Sequence, residues 1–268
     1  MKKLYVTQGS FDVKFRDCVG RFAKHLQEEY PEVEYDLLRI ETQVESWFDW
    51  SQTSTLDQII EWYESKKNNC EMQVEEIRLD ECRGWSLDDA EGWIKHESGE
   101  FFMVQALRIS QSGDREVGAI GWDQPILTQV GFDGGLLGIL RKRVNGVPHY
   151  FLEAKAEPGN PDLVQISPTL QATFSNLRCA HKGRRPLFAD LFEYPEKAGA
   201  NILFNQWMSE DGGRLYKKRN KGLLIEVDVD YEISDSDTFQ WFSLWQIKQL
   251  IKRSSWVNPH VRSIVSHL

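Results

Sequence analysis

Between residues 149 and 173 the chain reads HYFLEAKAEPGNPDLVQISPTLQAT, and its alternate residues separate by polarity. A period of two is the signature of extended backbone, because successive side chains of a strand point to opposite faces. With the turn-forming PGNPD at its centre, the stretch predicts two antiparallel strands, 149–157 and 163–173. His149, Phe151, Glu153, Lys155 and Glu157 share one face of the first strand; Tyr150, Leu152, Ala154 and Ala156 take the other. In the second, Leu163, Gln165, Ser167, Thr169, Gln171 and Thr173 oppose Val164, Ile166, Pro168, Leu170 and Ala172. A tight register sets Lys155 near Gln165 and Glu153 near Ser167. The hairpin commits the chain to a sheet with one face of amides, hydroxyls and a Glu–Lys–Glu row.

Such a face has two explanations. Antiparallel sheets commonly turn a polar face to water. Fixed amides and hydroxyls also suit a polyhydroxylated ligand. Pro168 removes a ladder donor in mid-strand and implies a bulge or an edge, a device often found beside sites. Periodicity alone does not choose between them.

The flanking sequence supplies helices and more strands. Residues 10 to 67 read as helical: Phe15, Val19, Phe22, Ala23 and Leu26 recur at three- and four-residue spacing. After a Ser/Thr cap, Leu56, Ile59, Ile60 and Tyr63 do the same. The aromatic VESWFDWS between them is expected to be buried. From about residue 72, MQVEEIRL, FFMVQALRIS, REVGAIGW and later GLLIEVDVDYEI read as strands, separated by turn signals such as QSGD and DGG. NGV between two apolar runs is a hairpin signal. Ser243 caps a last helix lined by Leu244, Ile247, Leu250 and Ile251. Helices, then strands, then a helix predict an α+β fold with a mostly antiparallel sheet. A helical segment, 1–70, is expected to pack on a module formed by 71–268.

Composition narrows the function classes. A net charge of −9 opposes sequence-independent nucleic-acid binding, which needs a basic surface. The four cysteines form no CxxC pair, so neither a zinc site nor a secreted disulfide framework is expected, and reduced thiols in a cytoplasm are. MKKLYVTQGSFDVKF carries no apolar run typical of a signal peptide, and no stretch is long and apolar enough to span a bilayer.

Several motifs occur in a fixed order: GWDQPILTQ (121–129), LGIL with GVPHYFLEAKAEPGN (137–160), VQISPTLQATFSN (164–176), SEDGGRLYKKRN (209–220) and WFSLWQIKQLI…VNPHVRSIVS (241–266). Together they resemble the NDP-hexose 2,3-dehydratase family of deoxysugar biosynthesis, from about residue 15 onward, and AKAEPGN with SPTLQAT is the most specific part. Family members are similar in fold to Nudix proteins but lack the metal-binding glycine-to-REXXEE box. This chain lacks it too, so pyrophosphate hydrolysis is not implied. The usual member is about twice as long, with two related modules in tandem. One module stands here, and a homodimer would supply the other.

The resemblance implies removal of water across C2 and C3 of a nucleotide-linked, dTDP-type 4-keto-6-deoxyhexose, with no cofactor and no metal. The ketone makes the C3 proton acidic; a base removes it, a cation or donor meets the enolate, and the C2 hydroxyl leaves protonated. Glu157 and Glu153 are the candidate bases, with Lys155 between them for the enolate oxygen. His149 and His181 are candidate acids, each equally an ordinary surface histidine. Gln165, Ser167, Thr169 and Gln171, with Asn160, Thr173 and Asn176 in the same motifs, would hold hydroxyls. Lys218, Arg219 and Asn220 lie where a diphosphate would bind. Trp122, beside Gln124, would stack on a base, although core packing also explains a tryptophan. A nucleotide-sugar binding module without catalysis is the alternative.

Overall fold

The computed structural model describes residues 11–110, 121–129, 131, 134–180, 183–233 and 236–268. The expected QSGD turn, the first part of REVGAIGW, Asp133 of DGG and His181 lie outside them.

Three helices come first: α1 (Phe11–Glu29), α2 (Leu37–Trp47) and α3 (Leu56–Asn68). Thr55 caps α3 through a reciprocal box with Gln58, as its sequence signal requires. Four strands then form an antiparallel meander: β1 (Trp85–Asp88), β2 (Trp93–His96), β3 (Met103–Ser110) and β4 (Gly121–Thr128). The main sheet has seven strands. They are β5 (Gly135–Val144), β6 (Val147–Ala156), β7 (Val164–Ser167), β8 (Leu170–Thr173), β9 (Asn201–Ser209), β10 (Arg219–Val227) and β11 (Phe239–Phe242). Short helices α4 (Phe174–Leu177) and α5 (Ala189–Glu193) precede β9, and α6 (Leu244–Ile251) and α7 (Pro259–Val265) end the chain. The architecture is α+β, with sheet order β11-β6-β5-β10-β9 and all pairs antiparallel except β5 with β10. Among the described residues, no helix is long and apolar enough to cross a membrane.

The hairpin β5–β6 turns on Asn145 and Gly146, both at positive φ (48° and 76°), the backbone that an Asn-Gly pair accepts. Away from that turn β5 and β6 part, and residues 164–173 fill the fork. The expected register holds there, with Glu153 opposite Ser167 and Lys155 opposite Gln165. The expected single strand 163–173 does not. β7 pairs with β6, β8 pairs with β5, and the change of partner falls at Pro168 and Thr169. Pro168 has no N–H to donate. Thr169 stitches the fork instead: its Oγ1 accepts from the Leu140 amide at 2.9 Å and donates to the Phe151 carbonyl.

Both faces of the main sheet are covered. Tyr150, Leu152 and Ala154 meet α3, α6 and α7 residues such as Ile59, Ile247 and Val261, all buried. Phe151 lies on the other side with Leu170, Phe192 and Phe239. The buried Tyr63 of α3 donates its hydroxyl to the Val164 carbonyl at 2.9 Å, so the ring enters the core without an orphaned polar group.

Three further expectations fail. MQVEEIRL forms no strand; Val74, Ile77 and Leu79 are all exposed, and the segment runs into a single helical turn, Leu79–Glu81. GLLIEVDVDYEI ends as a strand at Val227, and Leu223 to Ile225 are buried without alternation because the sheet is covered on both sides. Of the VESWFDWS aromatics only Trp50 is buried, while Trp47 and Phe48 are exposed.

Candidate active site

The open end of the fork gathers polar side chains from four elements. Lys155 and Glu157 come from β6 and the residue after it, Gln171 and Thr173 from β8, Lys218 and Asn220 from the residue before β10 and the strand's own start, and His260 from the first turn of α7. With Phe102, Asn176, Glu210 and Leu215 they line a cavity of about 310 Å³. A wider cleft of about 770 Å³ adjoins it, sharing Glu157, Gln171, Glu210, Leu215 and His260. Asn160, Gln165, Arg253 and Arg262 lie on the cleft's walls.

Backbone packing sets this geometry. Gly134 stands at φ 82°, and a Cβ there would meet the Arg219 carbonyl oxygen at 2.4 Å, so glycine allows β5 and β10 to begin side by side. Strand alternation then sends Lys218 and Asn220 into the cavity and Arg219 away from it. The loop bearing Glu210 to Lys218 is tied to β4 by the bonds Leu127 N to Arg214 O (3.0 Å) and Tyr216 N to Leu127 O (2.8 Å). Asn258 caps α7 by accepting from the His260 amide at 2.9 Å, which fixes His260 in the first turn.

Inside the cavity, Glu157 Oε1 accepts from Gln171 Nε2 at 2.9 Å and lies 3.7 Å from Lys155 Nζ. Lys155 also donates to the Gln171 carbonyl at 3.3 Å. Gln171 Oε1 is shielded and has no hydrogen-bond partner among the described residues. Lys218 donates to Gln129 Oε1 and lies 5.2 Å from the Phe102 ring centre. Burial lowers its ammonium to about 8, against the opposing pull of Glu210. Asn220 donates to Glu210 Oε1, and His260 Nδ1 lies 3.7 Å from that same oxygen. Burial holds the His260 ring below the usual histidine range, while Glu210 draws it upward. A carboxylate and an imidazole facing two ammonium groups can move a proton and stabilise a developing oxyanion.

Of the residues singled out from sequence, Lys155, Glu157, Gln171, Thr173, Asn176, Lys218 and Asn220 meet here. Asn160 and Gln165 reach the cleft, but Gln165 spends its amide on the Ser255 carbonyl (2.8 Å) and on Asn258 (3.2 Å). Several others are placed elsewhere. His149 is fully buried; its Nδ1–H donates to the Val147 carbonyl and its Nε2 accepts from the Gln52 amide, both at 2.9 Å. Burial lowers it to about 4, with the Val147 bond opposing, and it lines neither the cavity nor the cleft. Thr169 serves the fork, and Ser167, fully buried, donates to the Gln165 carbonyl at 3.3 Å. Glu153 lines neither cavity; burial raises its carboxyl, Lys155 opposing and Glu157 reinforcing. Arg219 packs over the Trp207 ring at 4.7 Å. Trp122 donates to Gln124 at 2.7 Å, and Gln124 to the Gly213 carbonyl at 3.0 Å, which braces the loop; neither lines the cavity or the cleft.

Sequence reasoning passed over His260 and Glu210. Asn258–Pro259 marks a helix start and so places His260 in a first turn, but nothing local says that this turn abuts β6 and β10.

Proteins named dTDP-4-dehydro-6-deoxy-alpha-D-glucopyranose 2,3-dehydratase from Saccharopolyspora spinosa, Amycolatopsis orientalis and Streptomyces violaceoruber are 32%, 33% and 33% identical to 76%, 77% and 77% of the chain. The chain spans 40% to 45% of their length. Among solved structures, a C. elegans Ap4A hydrolase (12% identity, TM-score 0.28, 49% of this chain and 95% of that one) and an M. smegmatis Nudix hydrolase (13%, 0.30, 57% and 88%) align with it. The family model for NDP-hexose 2,3-dehydratase matches residues 56–268, from α3 through the whole site, and the chain belongs to that family.

Proposed function

We propose that the chain removes water across C2 and C3 of a dTDP-linked 4-keto-6-deoxyhexose, giving an enol that tautomerises to the 3,4-diketo-2,6-dideoxy sugar. The observation carrying this reading is the convergence of Lys155, Glu157, Gln171, Lys218, Asn220 and His260 on one small cavity opening into a larger cleft. The reaction needs positive charge at the C4 oxygen, and Lys155 and Lys218 provide it. It needs a base near C3, and Glu157 and His260 are the groups able to act. Gln171 and Asn176 line the small cavity, where side-chain amides suit sugar hydroxyls. The cleft has room for the nucleoside diphosphate, with Arg253 and Arg262 on its wall. Two copies of the chain, as a homodimer, would restore the module number of longer relatives.

Incubation with dTDP-4-keto-6-deoxyglucose tests the reading. Thymidine diphosphate should appear as the unstable diketo product decomposes. The same polar lining would also suit a second reading, a nucleotide-sugar binding module without turnover. Ligand-dependent thermal stabilisation with the substrate unchanged would support that reading and sink the first.

A further inference from the structure

Resting on the dehydratase reading, we propose that His260 carries the C3 proton of the sugar to the departing C2 oxygen, with Glu210 and Asn220 as its positioning residues. Three titratable groups belong to both the small cavity and the cleft: Glu157, Glu210 and His260. A hexose whose diphosphate lies in the cleft must pass between them.

Two of the three are engaged. Glu157 Oε1 takes the Gln171 amide, and Glu210 Oε1 takes the Asn220 amide. The His260 ring, by contrast, makes no hydrogen bond within the protein among the described residues; its backbone amide is the part that is tied down, by Asn258. Its Nδ1 faces the Glu210 carboxylate at 3.7 Å, long for a hydrogen bond but close enough to compensate an imidazolium. Such pairs often tighten only when substrate binds. Asn220, buried on β10, holds that carboxylate in place. With its side chain 21% exposed, His260 can meet a ligand yet is largely shielded from water.

The charges facing the ring suit a group that starts neutral and becomes cationic briefly. Burial, Lys155 and Lys218 disfavour the imidazolium, while Glu210 and Glu157 favour it. A neutral imidazole is therefore present to accept a proton, and two carboxylates stand by when it does.

The stereochemistry of the sugar lets one group serve both positions. In a gluco-configured 4-ketohexose the C3 hydrogen and the C2 hydroxyl lie on the same face of the ring. In the first step the C3–H bond breaks, its proton bonds to the imidazole, and its electron pair forms C3=C4 with negative charge on O4 beside the ammonium groups. In the second, the O4 charge collapses to restore C4=O, C2=C3 forms and the C2–O bond breaks. The departing oxygen takes the imidazolium proton and leaves as water. His260 is neutral again, and no oxidant, reductant or co-reactant is consumed.

A 2-deoxy analogue of the substrate isolates the first step, because it can lose the C3 proton but has no hydroxyl to expel. In D₂O the wild-type protein should exchange that hydrogen for deuterium above the enzyme-free rate, and His260→Asn and His260→Gln should not. On the true substrate either variant should lose about 10²- to 10⁴-fold in kcat, with thymidine diphosphate affinity retained. Glu210→Gln should lower kcat with little change in KM and move the pH profile of exchange, and Glu210→Asp should recover part of the loss. Wild-type exchange rates in both folded His260 variants, or loss of exchange in Glu157→Gln alone, overturn the assignment. So does a wild-type protein that turns over substrate without exchanging the analogue. A wild type that binds substrate but neither turns it over nor exchanges the analogue sinks the dehydratase reading, and the assignment with it.

Discussion

Arg141 Nη2 donates to Glu45 Oε1 at 2.9 Å, and the two side chains are 1% and 2% exposed. The pair fastens α2 to β5, and it is not isolated. Arg141 also bonds Glu41 and lies 3.0 Å from Glu226 Oε2, while Tyr150 donates its hydroxyl to the second Glu45 oxygen at 2.8 Å. One buried guanidinium thus answers to three carboxylates at the junction of the amino-terminal helices and the main sheet. Burial, opposed by Arg141 and reinforced by Glu41, pushes the Glu45 carboxyl up to about 7.

Removing Arg141 leaves the buried Glu45 without its paired cation, while Arg143 still meets Glu41 at 2.8 Å and Glu226 at 3.4 Å from the outer side. Arg141→Met should cost about 3–5 kcal/mol, the usual penalty for breaking a buried pair from one side. Urea unfolding followed by tryptophan fluorescence measures it. A loss below about 1 kcal/mol would mean that water already reaches the cluster.

Glu45 also gives a signed pH dependence. Its carboxyl is raised on folding, so the native state binds the proton more tightly than the unfolded chain. The stabilisation is complete below the ordinary glutamate value near 4.5 and is lost as pH rises through about 7. Its size is on the order of 3 kcal/mol. Glu45→Gln keeps the neutral form at every pH, so its stability relative to wild type should rise between pH 5 and 8. Taking the difference between the two proteins cancels His149, whose lowered value works in the opposite sense. A difference independent of pH would count against a protonated Glu45.

How much of this was legible beforehand depends on how local each signal is. The Thr55 and Ser243 caps, the Asn145–Gly146 turn and the Glu153–Ser167 register are short-range consequences of residue type, and the fold contains them. The failures involve neighbours distant in sequence. Parity put Phe151 and Lys155 on one face, but it could not show that Phe188, Phe239 and Trp241 cover Phe151 while Lys155 lines the cavity. Pro168 signalled an irregularity, but not that Thr169 would exchange one partner strand for another. His149 and His260 differ in no local feature that reports burial. What separates them is that the connection between α2 and α3 closes over His149 through Gln52, while the cavity lies at the other end of β6.

The structural part played by His149 is testable without knowledge of the reaction. His149→Ala leaves the Gln52 amide and the Val147 carbonyl without their partner, so it should lower stability by roughly 1–3 kcal/mol. Turnover per folded molecule should stay at the wild-type level. A folded variant with its stability intact and its turnover lost would return His149 to the reaction.

Lys218 offers the closest reading of the chemistry itself. Its ammonium is lowered to about 8 because it is buried beside Phe102, with Glu210 only partly offsetting that cost. A lysine that meets a developing O4 enolate must be charged when the C3 proton leaves. As pH rises through about 8 the charged fraction falls, so kcat/KM, which reports groups of the free protein, should have a descending limb there. Lys218→Met should lose roughly 10²- to 10³-fold in kcat/KM, as removal of one oxyanion donor does elsewhere. It should also flatten that limb. Lys218→Arg keeps a cation at any accessible pH, so whatever activity it retains should persist well above pH 8. If the limb stays near 8 in the arginine variant, the titrating group is another, and Lys155 remains as the cation at O4.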